Sequence, residues 1–404
     1  MNALQISLKD IKANKLSALL NLLLIAFGIA ILTVLLLGGK QINDKLEKNA
    51  KDIDLVVGAK GSPLQLVLSS IYYIDFPTGN IPLKDARALA ANPLVKRAVP
   101  LALGDNYSGF RIAGTDTSFI NLYGLTLQSG RFWKNDFEVT VGSQVAAKQH
   151  LTIGSNFYGA HGLTGSTDIH KTHAYVVTGI IKAQDNVVDN LVLTNIASVW
   201  GMHEHDDPHH KGPRPGEPEP FENGEKEITT LLIQYRSPMS VVLFPRMVNQ
   251  STNMQAASPA MESARLFSLI GVGVDTLQWF AVLIMAISGI SVFISLYNSL
   301  KERRYDLAVM RTIGASRWDL FSIVILQGIL LTLIGSVIGL MFGHIALELI
   351  GHFQNAGQAR LSGRTFDTAE LYLVLTGFAI GLLAALIPAI AAYRTGIAET
   401  LNRS

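Results

Sequence analysis

Residues 19–37 read LLNLLLIAFGIAILTVLLL, an apolar run long enough to cross the core of a bilayer, which takes about 20 residues in a helix. Three similar runs lie in the last third of the chain, at Leu277–Leu300, Phe321–Ile350 and Leu371–Tyr393. The long segment between the first and second runs has the composition of a soluble domain. The spacing therefore predicts one membrane span, a large domain outside the bilayer and three further spans.

The overall composition agrees with this mixed organisation. The chain has 404 residues, of which 49% are hydrophobic and 16% are charged. A formal net charge of only +2 does not favour a nucleic-acid partner. The absence of cysteine excludes disulfides, thiolate metal sites and a lipid-modified N-terminal cysteine.

Basic residues predict the orientation in the membrane, because short cytoplasmic segments are rich in lysine and arginine. Such residues precede the first predicted span, separate the second from the third and follow the fourth, at Lys9, Lys12, Lys15, Lys301, Arg303, Arg304, Arg311, Arg317, Arg394 and Arg403. We therefore expect both termini in the cytoplasm and the large domain outside. The first span has no small-residue cleavage motif, so we expect it to be retained.

These observations predict a membrane α-helical protein with four transmembrane helices and a large α+β extracytoplasmic domain inserted between helices 1 and 2. The predicted segments are an amphipathic cytoplasmic helix (1–17), the first span (18–39), the outer domain (40–265), the second span with an outer helical extension (266–300), a cytoplasmic helix (301–319), the third span (320–350), a short outer loop (351–370), the fourth span (371–393) and a cytoplasmic tail (394–404).

Within the outer domain, short strand patterns alternate with short helical ones. Strands are predicted at Glu138–Val141 and Tyr175–Ile181, and a helix at Met239–Asn249. Residues 203–224 hold five prolines and four histidines with almost no apolar side chains, which predicts an exposed and poorly ordered loop.

The histidines of this loop are candidate metal ligands. His203, His205, His209 and His210 lie beside acidic residues, and imidazole with carboxylate is a ligand set that suits Zn²⁺ or Cu²⁺. The alternative is a solvated loop that binds metal weakly. The first interpretation would make the chain a zinc-responsive, membrane-anchored sensor or a metal-linked transporter subunit.

Glycines at four-residue spacing mark the third and fourth spans. Small residues at this spacing let helices approach closely in lipid. The candidates are Gly335, Gly339 and Gly343 in the third span and Gly377 and Gly381 in the fourth. They could pack helices within one subunit or form the face of a dimer.

Several enzyme and transporter classes lack their sequence signals here. The chain has no Gly-x-x-x-x-Gly-Lys-Ser/Thr phosphate loop, no Gly-x-Ser-x-Gly and no His-Glu-x-x-His. We therefore expect a non-catalytic chain. A secondary transporter would show internal repeats and polar residues in mid-membrane, and neither is evident.

Residues 302–316 read ERRYDLAVMRTIGAS, with charged side chains around an apolar set, followed by a stop at Gly314. From the pattern alone, this helix could lie at the membrane interface or dock into a cytosolic partner. The segment resembles the signature of MacB/FtsX/LolC-type (type VII) ABC transporter permeases. Residues 124–132 (GLTLQSGRF) and 141–148 (VGSQVAAK) are similar to that family's outer-domain core. Residues 203–224 depart from the family pattern.

The resemblance implies a permease subunit of the bacterial inner membrane, with a periplasmic domain, that binds no cofactor itself. A separate cytosolic ABC ATPase dimer would bind ATP and Mg²⁺, and a second copy of the permease would complete the complex. Periplasmic adaptors, lipoproteins or substrate proteins are the further partners it implies, for export, for lipoprotein or lipid extraction, or for mechanotransmission. The ATPase-coupling residues would be Glu302, Arg303, Arg304, Asp306, Leu307, Met310, Arg311 and Gly314.

Overall fold

The computed structural model describes residues 3–162, 173–203, 226–353 and 361–394. They form two compact units. The helical unit comprises the described residues up to 42 and from 270 onward, and the α/β unit comprises those from 43 to 269. Most of the predicted loop at 203–224 and of the predicted tail at 394–404 lies outside the described residues.

The helices, in chain order, are α1 (Ala3–Ala13), α2 (Lys15–Asn49), α3 (Pro63–Ser70), α4 (Leu83–Ala90), α5 (Thr117–Tyr123), α6 (Ser143–Lys148), α7 (Ile196–His203), α8 (Pro238–Ser251), α9 (Pro259–Glu302), α10 (Arg304–Thr312), α11 (Arg317–Phe353) and α12 (Glu370–Tyr393). The strands are β1 (Leu55–Ala59), β2 (Ile81–Pro82), β3 (Val95–Tyr107), β4 (Phe110–Thr115), β5 (Leu127–Gly130), β6 (Glu138–Val141), β7 (Asn156–Phe157), β8 (Ala160–His161), β9 (Tyr175–Ile181), β10 (Leu191–Asn195), β11 (Glu227–Ile228), β12 (Thr230–Tyr235) and β13 (Met254–Ala257).

Four of the described helices, α2, α9, α11 and α12, are long and apolar enough to cross a membrane. The helix α2 has 35 residues and α9 has 44. At 1.5 Å per residue, these helices are about 50 and 65 Å long, well beyond the ~30 Å apolar core of a bilayer. Each continues without a break from the helical unit into the α/β unit. The four-helix prediction is confirmed.

The α/β unit is built on one large mixed sheet. Its strand order is β13-β1-β12-β3-β4-β10-β6-β9-β5, with β7 paired to β9 and β8 to β3. Most neighbours along the sheet are antiparallel, whereas β10 runs parallel to β4 and β6 runs parallel to β9. The predicted strands at Glu138–Val141 and Tyr175–Ile181 are confirmed as β6 and β9, and the predicted α+β class is confirmed.

Short capped helices cover the sheet. The helix α3 begins with Pro63 after Ser62, whose side chain accepts a hydrogen bond from the Gln65 amide. The helix α5 begins after Asp116, which caps it in the same way, and ends at Gly124 in the left-handed conformation. Both helices place apolar side chains in the main core of the unit, which the last turns of α2 also contact.

Candidate coupling site

The segment between α9 and α11 forms a short separate helix. Arg303 interrupts the helical path after α9, with φ −104° and ψ 16°, and α10 then runs from Arg304 to Thr312. Gly314 has φ +110°, a conformation that favours glycine, and it ends the helix. The Ala315 amide donates to the Met310 carbonyl over 3.0 Å. The predicted stop at Gly314 is confirmed.

The start of α11 is fixed by a reciprocal cap. The Asp319 amide donates to the Ser316 hydroxyl over 3.1 Å, and the Ser316 amide donates to the Asp319 carboxylate over 2.7 Å. This arrangement satisfies amide groups that the first turn of a helix leaves without partners. The turn between α10 and α11 is therefore defined by hydrogen bonds at both ends.

One face of α10 packs into its own chain. Leu307 and Ala308 are buried, and Met310 is partly buried. This face contacts a cluster from α9, α11 and α12 that contains Leu300, Leu320, Val324, Ala389 and Ala392. Burial of a leucine side chain is worth about 1.5–3 kcal/mol. Leu307 and Met310, predicted as coupling residues, therefore attach α10 to the rest of the helical unit.

The opposite side of α10 and the residues next to it are exposed. Glu302, Arg304 and Asp306 are exposed, and so is Gly314. Tyr305 is 53% exposed and Ile313 is 81% exposed. Exposed apolar side chains beside charges fit the membrane interface as well as a bound protein, so both interpretations of this helix from the sequence stay open.

Tyr305 was not predicted as a surface residue, and Ile313 belonged to the apolar set that the sequence placed among charged side chains. The helical spacing of the sequence already indicated that Tyr305 lies on the side opposite Leu307. Two helical steps separate Tyr305 from Leu307, which places them about 200° apart around the helix axis. Ile313 follows the last helical residue, so its exposure depends on the turn geometry and not on helical periodicity.

Arg303 connects the coupling segment to the N-terminal helix. Its guanidinium forms an ion pair with the Asp10 carboxylate of α1. Nearby, the buried Ser7 hydroxyl donates to the Ile323 carbonyl of α11 over 2.9 Å. The predicted amphipathic helix is thus present, and one side of it packs on α11. Arg311 remains close to its own segment, with Nη1 3.4 Å from the Ala315 carbonyl oxygen.

The three glycines of the third predicted span face α2. A Cβ atom added at Gly335 would lie 3.0 Å from Ile25 Cβ, and one at Gly339 would lie 2.7 Å from the Ala26 carbonyl oxygen. At Gly343 the corresponding distance to Thr33 Cβ is 2.6 Å. These contacts leave no space for a side chain.

The two glycines of the fourth predicted span face α11 in the same way. A Cβ atom at Gly377 would overlap the Ser336 hydroxyl, and one at Gly381 would overlap the Thr332 hydroxyl. All five glycines therefore bring helices of one chain together in this structure.

The candidate metal ligands fall mainly outside the described part of the chain. His203 is the last residue of α7, whereas His205, His209 and His210 lie beyond the described ranges. Among the residues that the structure describes, no group of three or more histidine, aspartate or glutamate side chains is placed to hold a metal ion.

Two family models match this chain. Residues 18–241 match the model of the MacB-like periplasmic core domain, and residues 279–397 match that of the FtsX-like permease C-terminal domain. The chain is 22% identical over 362 residues to the pyoverdine export ATP-binding/permease protein PvdT of Pseudomonas putida, a match that covers 87% of this chain and 52% of that protein.

A second relative is the macrolide export ATP-binding/permease protein MacB of Neisseria meningitidis. It is 20% identical over 409 residues, which cover 95% of this chain and 59% of that protein. The chain thus spans little more than half the length of these relatives.

Two solved structures also match the chain. The periplasmic region of MacB from Actinobacillus actinomycetemcomitans matches 55% of this chain and 97% of its own length, with 11% identity and a TM-score of 0.34. The extracellular domain of the ABC-type transporter YknZ from Gram-positive bacteria matches 51% of this chain and 99% of its own length, with 12% identity and a TM-score of 0.31. The family models together cover most of the sequence, and the chain belongs to the MacB/FtsX-type ABC transporter permease family, as a membrane protein with a MacB-like extracytoplasmic domain.

Proposed function

We propose that this chain is the transmembrane subunit of an ABC transporter complex that transmits ATP-driven movement from the cytoplasm to its α/β unit. A separate cytosolic ATPase dimer supplies ATP binding and hydrolysis. The chain itself binds no cofactor and performs no chemistry. Its role is mechanical.

The observation that carries this proposal is the two-sided character of α10. Its inner face is fixed by Leu307 and Ala308, which are buried in the helical unit. Its exposed side presents Tyr305 among charged side chains, and Ile313 is exposed directly after the last helical residue. One face of this helix is packed against the helical unit and the other is exposed. A protein bound to the exposed face can therefore displace the helix, and the helix can transmit that displacement to the unit.

The connectivity of the chain supplies a route for this movement. The helix α9 is unbroken from Pro259 to Glu302 and is separated from α10 by Arg303 alone. The same helix begins directly after β13 of the α/β unit. A displacement of α10 therefore acts on the end of a single continuous helix that leads to the outer unit.

Export is the use that we propose to test first. Two relatives carry names that state pyoverdine export and macrolide export. Lipoprotein or lipid extraction and mechanical activation of a periplasmic protein would use the same movement, with a different periplasmic adaptor or substrate. Comparing the efflux of pyoverdine and of a macrolide from cells with and without this chain separates export from the other uses.

The complex that we propose contains two permease copies in the bacterial inner membrane. The termini lie in the cytoplasm, because basic residues precede α2 and flank α10. The zinc-responsive alternative depends on His205, His209 and His210, which the structure does not describe. It stays a prediction from the sequence, and zinc titration of the purified chain would test it.

The α10 surface provides the test of this function. Glu302→Ala combined with Arg304→Ala changes exposed residues only, so the protein should fold and insert normally. Stimulation of ATPase activity by the permease should fall at least tenfold in the reconstituted complex. The matched control is Lys96→Ala, an exposed charge of the α/β unit, which should have no effect. Equal stimulation by the double variant and the control would remove α10 as the coupling site.

A further inference from the structure

The helices α2 and α9 lie side by side in the helical unit and run in opposite directions. The hydroxyls of Ser17 and Ser295 are 2.8 Å apart, and the Ser291 hydroxyl donates to the Asn21 side-chain oxygen over 2.6 Å. From Ser17 to Asn21 the chain advances four residues along α2, whereas from Ser295 to Ser291 it goes back four residues along α9. This pairing shows that the two helices are antiparallel. Two polar bonds at one helical turn of spacing fix the axial register of the pair in an apolar environment.

Close packing continues along the same interface. A Cβ atom added at Gly28 of α2 would lie 2.8 Å from Met285 Cγ of α9. Met285 is only 7% exposed. The two helices are therefore in direct contact over more than one turn, and sliding one along the other would break polar bonds and close contacts together.

Within the α/β unit, one tyrosine hydroxyl bridges the outer ends of the same two helices. Tyr72 Oη lies 3.3 Å from the Leu46 carbonyl oxygen of α2 and 3.0 Å from the Ser263 hydroxyl of α9. Tyr72 is 4% exposed. Burial raises the pKa of Tyr72, so its hydroxyl remains a protonated donor at neutral pH.

The last residue of α2 is attached to two other elements of the α/β unit. The Asn49 side-chain oxygen accepts a hydrogen bond from the Val187 amide over 2.8 Å, at the start of the 3-10 helix Val187–Asn190. The Asn49 carbonyl accepts a hydrogen bond from the Tyr123 hydroxyl of α5 over 3.1 Å. Asn49 is 4% exposed, so these bonds are shielded from water.

We propose that Asn49, Tyr72, Tyr123 and Ser263 form an output clasp, through which α2 and α9 move the α/β unit as one body. The proposal rests on the proposed mechanical function and names the residues that deliver the movement. A slide of one residue along a helix is 1.5 Å. Such a slide would lengthen at least one of the two Tyr72 bonds, now 3.0 and 3.3 Å, and the longer one already lies close to the ~3.5 Å limit of a hydrogen bond. The clasp therefore permits joint displacement of the two helices and opposes relative sliding.

A disulfide between the helices tests joint displacement. The chain has no cysteine, and the Ser17 and Ser295 hydroxyls are in contact at 2.8 Å, so a cysteine pair at these two positions is the crosslink to test. Ser17→Cys with Ser295→Cys, in the complete complex with its ATPase, should keep ATPase activity within twofold after oxidation. A fall of tenfold or more on oxidation, absent from each single-cysteine variant, would show that the helices must slide and would overturn the proposal.

Removal of one hydroxyl tests the clasp itself. In the complete complex, hydrogen exchange of residues 183–190 is compared between the nucleotide-free and the vanadate-trapped state. Tyr72→Phe should lose the nucleotide-dependent change in exchange while it keeps ATPase turnover and melting temperature. Tyr158→Phe changes an exposed tyrosine of the same unit and should keep the change. Asn49→Ala should also lose it, and the Val187 amide should exchange at least tenfold faster.

A purely structural role for these residues predicts a different result. Tyr72→Phe would then lower the melting temperature but leave the nucleotide-dependent change at its wild-type amplitude, and the clasp would be wrong. If the wild-type complex contains no ATPase, or shows no nucleotide-dependent change in the α/β unit, the proposed function fails and the clasp fails with it. The two failures are therefore distinguishable.

Discussion

The guanidinium of Arg303 forms an ion pair with the carboxylate of Asp10, which joins the start of α10 to the N-terminal helix α1. The two side chains are 29% and 16% exposed. Because α1 leads directly into α2, a force on α10 can reach both helices that continue into the α/β unit. We therefore expect the N-terminal helix to take part in the proposed coupling.

The first prediction concerns this ion pair. Asp10→Asn or Arg303→Gln should lower ATPase stimulation by up to about fivefold, since a partly exposed pair is worth up to about 1 kcal/mol. The exchange Asp10→Arg with Arg303→Asp restores an opposite pair and should recover most of the activity. Single variants that behave like the wild type would show that α1 takes no part in coupling.

The second prediction concerns Ile313, which is 81% exposed. Ile313→Asp should weaken ATPase binding at least tenfold, because an apolar anchor at the centre of an interface contributes strongly and a charge there must be desolvated. Ile153→Asp is the matched control, at an isoleucine of the α/β unit that is 50% exposed. Binding is measured by co-purification at several salt concentrations. Equal loss in both variants would mean that the effect is not local.

The third prediction concerns helix packing at Gly339. Gly339→Ala should lower the melting temperature in detergent, since the added Cβ would lie 2.7 Å from the Ala26 carbonyl oxygen and overpacking costs about 1–3 kcal/mol. Gly39→Ala is the control, because a Cβ there meets no atom within 4 Å. It should leave the melting temperature unchanged or raise it, since alanine favours a helix by up to ~1 kcal/mol. A melting temperature that stays at the wild-type value in Gly339→Ala would contradict the α2–α11 contact.

The fourth prediction concerns pH and Glu138. The Nη1 and Nη2 atoms of Arg131 each donate a hydrogen bond to the Glu138 carboxylate over 2.7 Å. The backbone amides of Lys134 and Asn135 also donate to this carboxylate. These bonds hold the pKa of Glu138 well below its usual value. The unfolded chain therefore binds more protons than the folded chain once the pH falls below about 4.3, the ordinary glutamate pKa.

The contribution of Glu138 to stability should be complete at pH 7 and should be lost as the pH falls toward the lowered pKa. Glu138→Gln should accordingly melt at a lower temperature than the wild type at pH 7. The difference should shrink as the pH is lowered through about 4. A difference that stays constant over this range would contradict the role of the carboxylate.

Local features of this fold could be predicted from the sequence because they depend on near neighbours. Apolar periodicity located the strands Glu138–Val141 and Tyr175–Ile181, and the glycine at position 314 marked the end of α10. Glycine spacing in the third span indicated close helix contact, although the pattern did not identify α2 as the neighbour.

Relationships between distant residues could not be predicted. The parallel pairing of Glu138 with Val176 depends on a sheet order that no local pattern encodes. The same holds for Asp10 with Arg303 and for Tyr72 with Ser263, which are far apart in sequence. At the coupling site, the residue types were predicted correctly as an amphipathic helix, but the division between the buried Leu307 and the exposed Ile313 required the packing of α9, α11 and α12.

The most direct test of the central claim is affinity purification of the full chain from mild detergent, followed by mass spectrometry and an ATPase assay. The account predicts that an ABC ATPase co-purifies in stoichiometric amount and hydrolyses ATP, and that Ile313→Asp loses it. Recovery of the chain without any ATPase, in a preparation that remains folded, would contradict the account.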